Sequence, residues 1–399
     1  MLGEATAPRS PIGDWCLDRA LLHLNHGAFG ALPRLVREVQ DQFRDRVEAE
    51  PMVWYDRHHL PAMDRSRTVL ATCLGVPENT LALVPNTTTG INGILASCTV
   101  SPGDEWLCTD HTYNATRNAL HRWATARGAS VRVVALPFPV SEAGAWEQIL
   151  LDAVGPATRL MLLDHVSSGT GAVLDVARLV PVLEGRGVRV LLDTAHGAGM
   201  LDVSPLESGA SWTVGNGHKW LFGAKGSGFV HVRSDLISTS QPLVTSHGWN
   251  ASDGERGRFR WMSDWLGTLD YTAMYVLPEA IAFADGLHAL GTAGHRQALL
   301  EQARRWTHRL AEAMGQVPPL PDAMLGAMAV VCLPDAAAPA PEVPRDPLIQ
   351  ALRDHHGIVA GVFNWPSWPR RVLRVSAQAY LPEDAPERLL EALRDLGAC

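Results

Sequence analysis

The chain is short of cysteine, of long apolar runs and of clustered basic residues, and each shortage removes a class of function. Its six cysteines (Cys16, Cys73, Cys98, Cys108, Cys332 and Cys399) are scattered without C-x-x-C spacing. That excludes a zinc ribbon or a paired redox centre and predicts reduced, mostly buried thiols. No uninterrupted apolar stretch approaches the ~18 residues of a membrane helix, and the N-terminus lacks the basic-then-apolar pattern of a secretory leader. Lys and Arg total 34 against 42 Asp and Glu, a formal charge of −8. With no Lys/Arg block, that balance argues against nucleic acid as a partner. The P-loop pattern G-x-x-x-x-G-K-[ST] is missing as well. These absences predict a cytoplasmic protein that meets neither membrane nor nucleic acid.

What is present suits a large α/β enzyme. A length of 399 residues fits two domains at ~100–200 residues each. From Leu81 onward, short apolar runs alternate with helical patterns. Strands are predicted at Leu81–Pro85, Glu105–Cys108, Val131–Leu136, Arg159–Leu163 and Val188–Leu192. The intervening helices are predicted at Ile91–Ser97, Tyr113–Arg127, Trp146–Val154 and Val176–Arg186. Such alternation predicts a mostly parallel sheet covered on both faces, with ligands bound where strands end. The pattern loosens after Arg233. A Gly- and Trp-rich loop over 240–270 is followed by helices near 273–290 and 298–314. Strands near 327–333 and 371–376 and a helix near 386–396 then read as a smaller α+β domain, with a Pro/Ala-rich surface loop at 335–344. The expected organisation is an N-terminal arm at 1–23 joining the small domain, a large domain at 24–270 and a small domain at 271–399.

The chemistry concentrates between residues 188 and 228. An apolar strand closes on Asp193, His196 follows, and Lys219 stands among Gly217, His218, Trp220 and Leu221. Most lysines are solvated surface charges, but this setting is apolar, and desolvation lowers a lysine's pKa toward a nucleophilic amine. A carboxylate closing a buried strand is costly unless a positive group meets it, although capping the next helix is a common alternative. Lys219 as a Schiff-base lysine and Asp193 as the anion on a ring nitrogen suit a covalently held pyridoxal phosphate. Asp193 and His196 as metal ligands would lack a third and fourth partner, so no metal is expected. The turn Asn86-Thr87-Thr88-Thr89-Gly90 between a strand and a helix makes an anion site from free N–H groups and the helix dipole. His111 and Tyr113 follow a strand end, and either could stack on a ring. Arg374 interrupts an apolar strand, which fits a bidentate carboxylate ligand or an internal salt bridge equally.

Together these residues resemble the class V aminotransferase family of fold-type I pyridoxal phosphate enzymes, and more narrowly its isopenicillin N epimerase-like and cysteine-conjugate C–S lyase branch. The motifs are Leu24-Asn-His-Gly-Ala-Phe-Gly30, Val84-Pro-Asn-Thr-Thr-Thr-Gly-Ile-Asn92, Asp110-His-Thr-Tyr113, Asp164-His-Val-Ser167, Asp193-Thr-Ala-His196, Asn216-Gly-His-Lys219 and Arg374-Val-Ser-Ala-Gln378. The resemblance implies a seven-stranded-type, mostly parallel sheet with a smaller C-terminal domain. It also implies Lys219 as the cofactor lysine, Asp193 on the ring nitrogen, and His196 and Ser167 near the phenolic oxygen. Thr88, Thr89, Asn216 and His218 would hold the phosphate, and His111 would cover the ring. Arg374 would take the substrate carboxylate, with Asn25, His26 and Tyr113 on the substrate side. Gly267-Thr268 matches a pair that reaches the partner subunit's phosphate in relatives, which implies a homodimer. Ser167-Ser168-Gly169-Thr170-Gly171 and Gly267-Thr268-Leu269-Asp270 depart from the usual forms and loosen the inference about substrate. The branch covers elimination from S-substituted cysteines, Cα epimerisation and oxidative or decarboxylating variants. The leading expectation is a C–S lyase serving a natural-product or thiol pathway. Epimerase, oxidative or decarboxylating deamination and aminotransferase are its alternatives, and a non-catalytic regulator is the reading from a different class. Cysteine desulfurase is disfavoured, because 357–372 holds no cysteine and Cys332 lies in an apolar strand pattern.

Overall fold

The computed structural model describes residues 12–202, 204–252, 254, 256–336, 340 and 345–399. The start of the expected N-terminal arm and most of the Pro/Ala-rich 335–344 segment lie outside the described residues. Seven strands build the central sheet: β1 (Leu81–Val84), β2 (Glu105–Thr109), β3 (Ser130–Val134), β4 (Thr158–Asp164), β5 (Arg189–Asp193), β6 (Trp212–Asn216) and β7 (Gly228–Val232). Their order is β1-β7-β6-β5-β4-β2-β3, and β7 alone runs antiparallel to its neighbours. The apolar runs explain this layering. Met161, Leu163, Val190 and Leu192 point to one face, under Leu179, Val180 and Leu183 of the Val176–Gly185 helix. Leu160, Leu162, Leu191 and Val214 point to the other, under Ile91, Ile94 and Leu95 of the Thr87–Ser97 helix. Strands apolar on both faces need cover on both, as a mostly parallel sheet provides.

A second, antiparallel sheet orders Gly361–Asn364, Arg371–Ser376 and Met328–Leu333. The chain's beginning is tied to this region. Leu22–His23 pairs in parallel with Ile358–Val359, and the Ser376 N–H donates to the Leu24 carbonyl at 2.7 Å. The Arg374 strand is thereby fixed beside the Asn25–Gly30 turn.

Four local expectations shift. The helix expected from Ile91 begins at Thr87, because the Asn86 side chain caps it by accepting from the Thr89 N–H at 2.9 Å. The helix expected over 273–290 is split into Thr272–Tyr275 and Leu277–Gly286, with Pro278 in the first turn of the second piece. The 240–270 loop carries a helix at Arg258–Asp264. Asp264 and Arg67 are fully buried and paired there, and Arg256 bridges Asp264 at 3.0 Å and Asp64 at 2.9 Å. Polar residues that bury one another leave no apolar period to read. Strand Gly361–Asn364, which pairs with the Arg374 strand, was not anticipated either.

Gly30 shows how tightly the N-terminal turn seats on the lysine segment. Its φ of 70° and ψ of 148° lie in a region that side chains avoid, and a Cβ there would come 1.8 Å from the His218 carbonyl oxygen. Gly30→Ala is expected to cost roughly 1–3 kcal/mol from backbone strain alone, more with the clash. Urea denaturation measures this, and an unchanged midpoint contradicts the packing.

Candidate active site

Lys219 leaves the C-terminal end of β6 three residues after Asn216 and enters a cavity of about 230 Å³. The wall also carries Asp164 and Asp193 from the ends of β4 and β5, His196, Asn216 and His218. A larger cleft of about 550 Å³ between Phe43 and Tyr275 shares none of these residues. It lacks a lysine, and the chemistry belongs to the smaller cavity.

The charge state of Lys219 follows from its neighbours. Its Nζ lies 3.3 Å from His196 Nε2, and the Trp220 Nε1–H donates to His196 Nδ1 at 3.5 Å. Nδ1 is then an acceptor, so a neutral His196 carries its proton on Nε2. That N–H can donate only to an amine with a free lone pair. Burial, followed by the positive charge of Arg374, brings Lys219 down to about 8, with Asp193 and Asp164 acting in the opposite direction. Burial, Lys219, Arg374 and His26 push His196 far below its ordinary range, which keeps the imidazole neutral. Asp193 accepts from the Ala195 N–H at 2.9 Å, and burial raises its pKa to about 6.

At the other end of the cavity, Asn216 Oδ1 accepts from the Thr87 N–H at 3.0 Å, at the first turn of the Thr87–Ser97 helix. Thr87 and Thr88 reach the wall, and the buried Thr87 Oγ1 has no partner among the described residues. Thr89 turns away, its hydroxyl donating to Asn86. The helix end that faces the cavity thus presents Thr87 and Thr88, with Asn216 bracing it.

Several expected residues stand behind the wall. His111 lies against Trp146 and Trp365, at ring-centroid distances of 4.3 and 4.1 Å. Its Nδ1 meets Ser167 Oγ at 3.2 Å and Thr170 Oγ1 at 3.0 Å, so neither His111 nor Ser167 lines the cavity. Tyr113, two residues on, does line it. Asn25 accepts from Arg374 Nη2 at 3.1 Å, and His26 Nε2 lies 3.1 Å from the Lys219 carbonyl. Both brace the site without reaching its wall. Arg374 also donates to the Ser168 carbonyl, and its Nε is buried without a partner. Among the described residues no carboxylate pairs with Arg374, so the salt-bridge alternative is not realised. Thr268 is exposed and outside its own chain's cavity.

The wall also carries Ala28, Phe29, Thr116, Asp164, Val166, Ser168 and Ala195, to which the sequence reading assigns no role. Asp164 carried the signal that marked Asp193, an apolar run closing on an aspartate. A second signal lay in plain counting, since Lys219 and Lys225 are the chain's two lysines.

The profile of the family described as Aminotransferase class-V matches residues 33–315. The chain belongs to this family, which uses pyridoxal phosphate. It is 33% identical to an isopenicillin N epimerase of Amycolatopsis lactamdurans, over 95% of this chain and 96% of that one. It is 30% identical to the Streptomyces clavuligerus isopenicillin N epimerase, over 96% of each chain. An Arabidopsis thaliana L-cysteine desulfhydrase is 26% identical over 94% of this chain and 87% of that one. Among solved structures, the cystine C–S lyase C-DES in complex with its product cysteine persulfide superposes with a TM-score of 0.76. It is 23% identical, and the match covers 94% of this chain and 97% of that one. The fold is that of the fold-type I pyridoxal phosphate enzymes.

The electrostatic account of Lys219 is testable on cofactor-free protein. The pH dependence of amine labelling, followed by mass spectrometry of the Lys219 peptide, is expected to have its midpoint near 8 rather than the ordinary 10.5. Arg374→Gln removes the neighbouring positive charge and is expected to move that midpoint upward. A midpoint at 10.5 in the unaltered protein contradicts the account.

Proposed function

We propose that the protein eliminates the thiol from an S-substituted cysteine, with Lys219 as the base at Cα. The observation that carries an amino-acid substrate is Arg374, buried without a carboxylate partner and close enough to lower the pKa of the Lys219 amine. A buried cation normally keeps an anionic partner. A substrate carboxylate supplies one, and it would hold Cα toward the amine. The cofactor fits the residues present. Asp193 would meet its ring nitrogen, and the helix end at Thr87, Thr88 and His218 would meet its phosphate. Bound pyridoxal phosphate supplies an electron-accepting ring for the charge that develops at Cα. Burial and Arg374 make the Lys219 amine easier to deprotonate, and in its free form, beside His196, it can accept the Cα proton. Thr268, exposed in its own chain, would reach the partner's phosphate in a homodimer.

Elimination needs one base and no protein thiol, and no cysteine lies on the cavity wall. Cys332 sits on the Met328–Leu333 strand, with its backbone bonded to Gln316. Relatives named as L-cysteine desulfhydrases support this reading, and relatives named as isopenicillin N epimerases favour Cα epimerisation as the second.

Incubation of the holoenzyme with an S-alkyl-L-cysteine separates the two. The lyase reading predicts pyruvate, ammonia and free thiol in equal amounts, absent with Lys219→Ala. Racemised but intact substrate points to epimerisation, and release of carbon dioxide rules out both.

A further inference from the structure

β4 and β5 end level with one another. Asp164 and Asp193 are register partners on adjacent parallel strands, and both reach the cavity wall. Parallel neighbours lie ~4.8 Å apart, and two carboxylates so placed in a poorly hydrated site resist ionising together. Asp164 spends Oδ1 on the Tyr113 N–H at 3.3 Å. Its Oδ2 is shut away from water and has no partner among the described residues. The residue itself lines the cavity, so its carboxyl group has acceptor capacity left for a ligand there. The titratable groups sharing that wall are Asp193 at the end of β5, His196 in the turn beyond it, His218 and Lys219 after β6, and Tyr113 after β2. Burial and the charge of Asp193 drive Asp164 well above the usual carboxylate range, whereas Asp193 stands at about 6. Of the two, Asp164 is therefore the carboxyl that holds a proton more readily.

We propose that Asp164 is a second ring-nitrogen carboxylate, whose carboxyl group meets the cofactor's protonated ring nitrogen beside Asp193 and whose proton is released as the cofactor enters. The inference rests on the assignment of Asp193 to that nitrogen. The charge balances. In the proposed exchange the cofactor-free pair carries one proton and a net charge of −1. The loaded pair carries none, and the ring N–H⁺ restores the same total while one proton per site goes to solvent. A second carboxylate would keep the ring protonated, and hence electron-accepting, even where the first is weakened.

Calorimetric titration of the apoenzyme with pyridoxal phosphate, in two buffers of different ionisation heat at neutral pH, counts the protons released. Wild type is expected to release one proton per site more than Asp164→Asn, whose amide oxygen still accepts from the Tyr113 N–H. Asp164→Ser, which cannot ionise either, is expected to match it and serves if the asparagine variant misfolds. The absorbance of the bound cofactor against pH is the second readout. Asp193→Asn is expected to keep part of the protonated-ring signal, and the Asp164→Asn/Asp193→Asn double variant to lose it. Equal proton release by wild type and both Asp164 variants overturns the inference. If Asp193→Asn alone then abolishes the signal, the Asp193 assignment survives. A wild-type signal in Asp193→Asn together with its loss in Asp164→Asn overturns the Asp193 assignment instead.

Discussion

The site depends on a lysine amine whose hold on its proton is loosened where water is scarce. Lys219 is placed so that every neighbour bears on its proton. Burial and Arg374 drive the proton off, the carboxylates of Asp164 and Asp193 pull the other way, and the result is about 8. The Trp220 hydrogen bond to His196 leaves the Lys219-facing nitrogen of the imidazole with its own proton, which favours the neutral amine over the charged one. The apolar setting of Lys219 therefore does chemical work as well as packing.

The fold assembles this balance from distant parts of the chain. Parallel strands under two helical layers bring Asp164, Asp193 and Lys219 to one end of the sheet. The N-terminal turn locks onto the lysine segment through Gly30 and His26, and the same turn passes Asn25 to Arg374. Arg374 belongs to the second sheet, so the proposed substrate end of the site depends on the junction between the two sheets. A change in that junction would alter the amine's protonation as well as the substrate's seat.

The central layer was legible because its strands are apolar on both faces and its helices amphipathic, so period and length suffice. Lys219 and Asp193 were legible for a related reason, since charged residues in apolar company stand out. What the sequence does not show has different physical causes. Thr89 was implied by the resemblance, and its turn away from the cavity is invisible in the threonine run, because the Asn86 cap, which starts the helix at Thr87, ties the Thr89 hydroxyl to itself. His111 and Tyr113 lie in a turn, where side-chain direction has no period, and the rings of Trp146 and Trp365 draw His111 away from the cavity. Asp164 carried the same signal as Asp193 but had no lysine shortly after it to draw notice. The Arg67–Asp264 cluster was hidden because polar residues that bury each other resemble a solvated loop.

The central claim is that Lys219 bears the cofactor. The most direct measurement is borohydride reduction of the holoenzyme, followed by digestion and mass spectrometry of the two lysine-containing segments. The account predicts a cofactor-derived mass on Lys219 and none on Lys225. The added mass on Lys225, or on neither lysine, would contradict it.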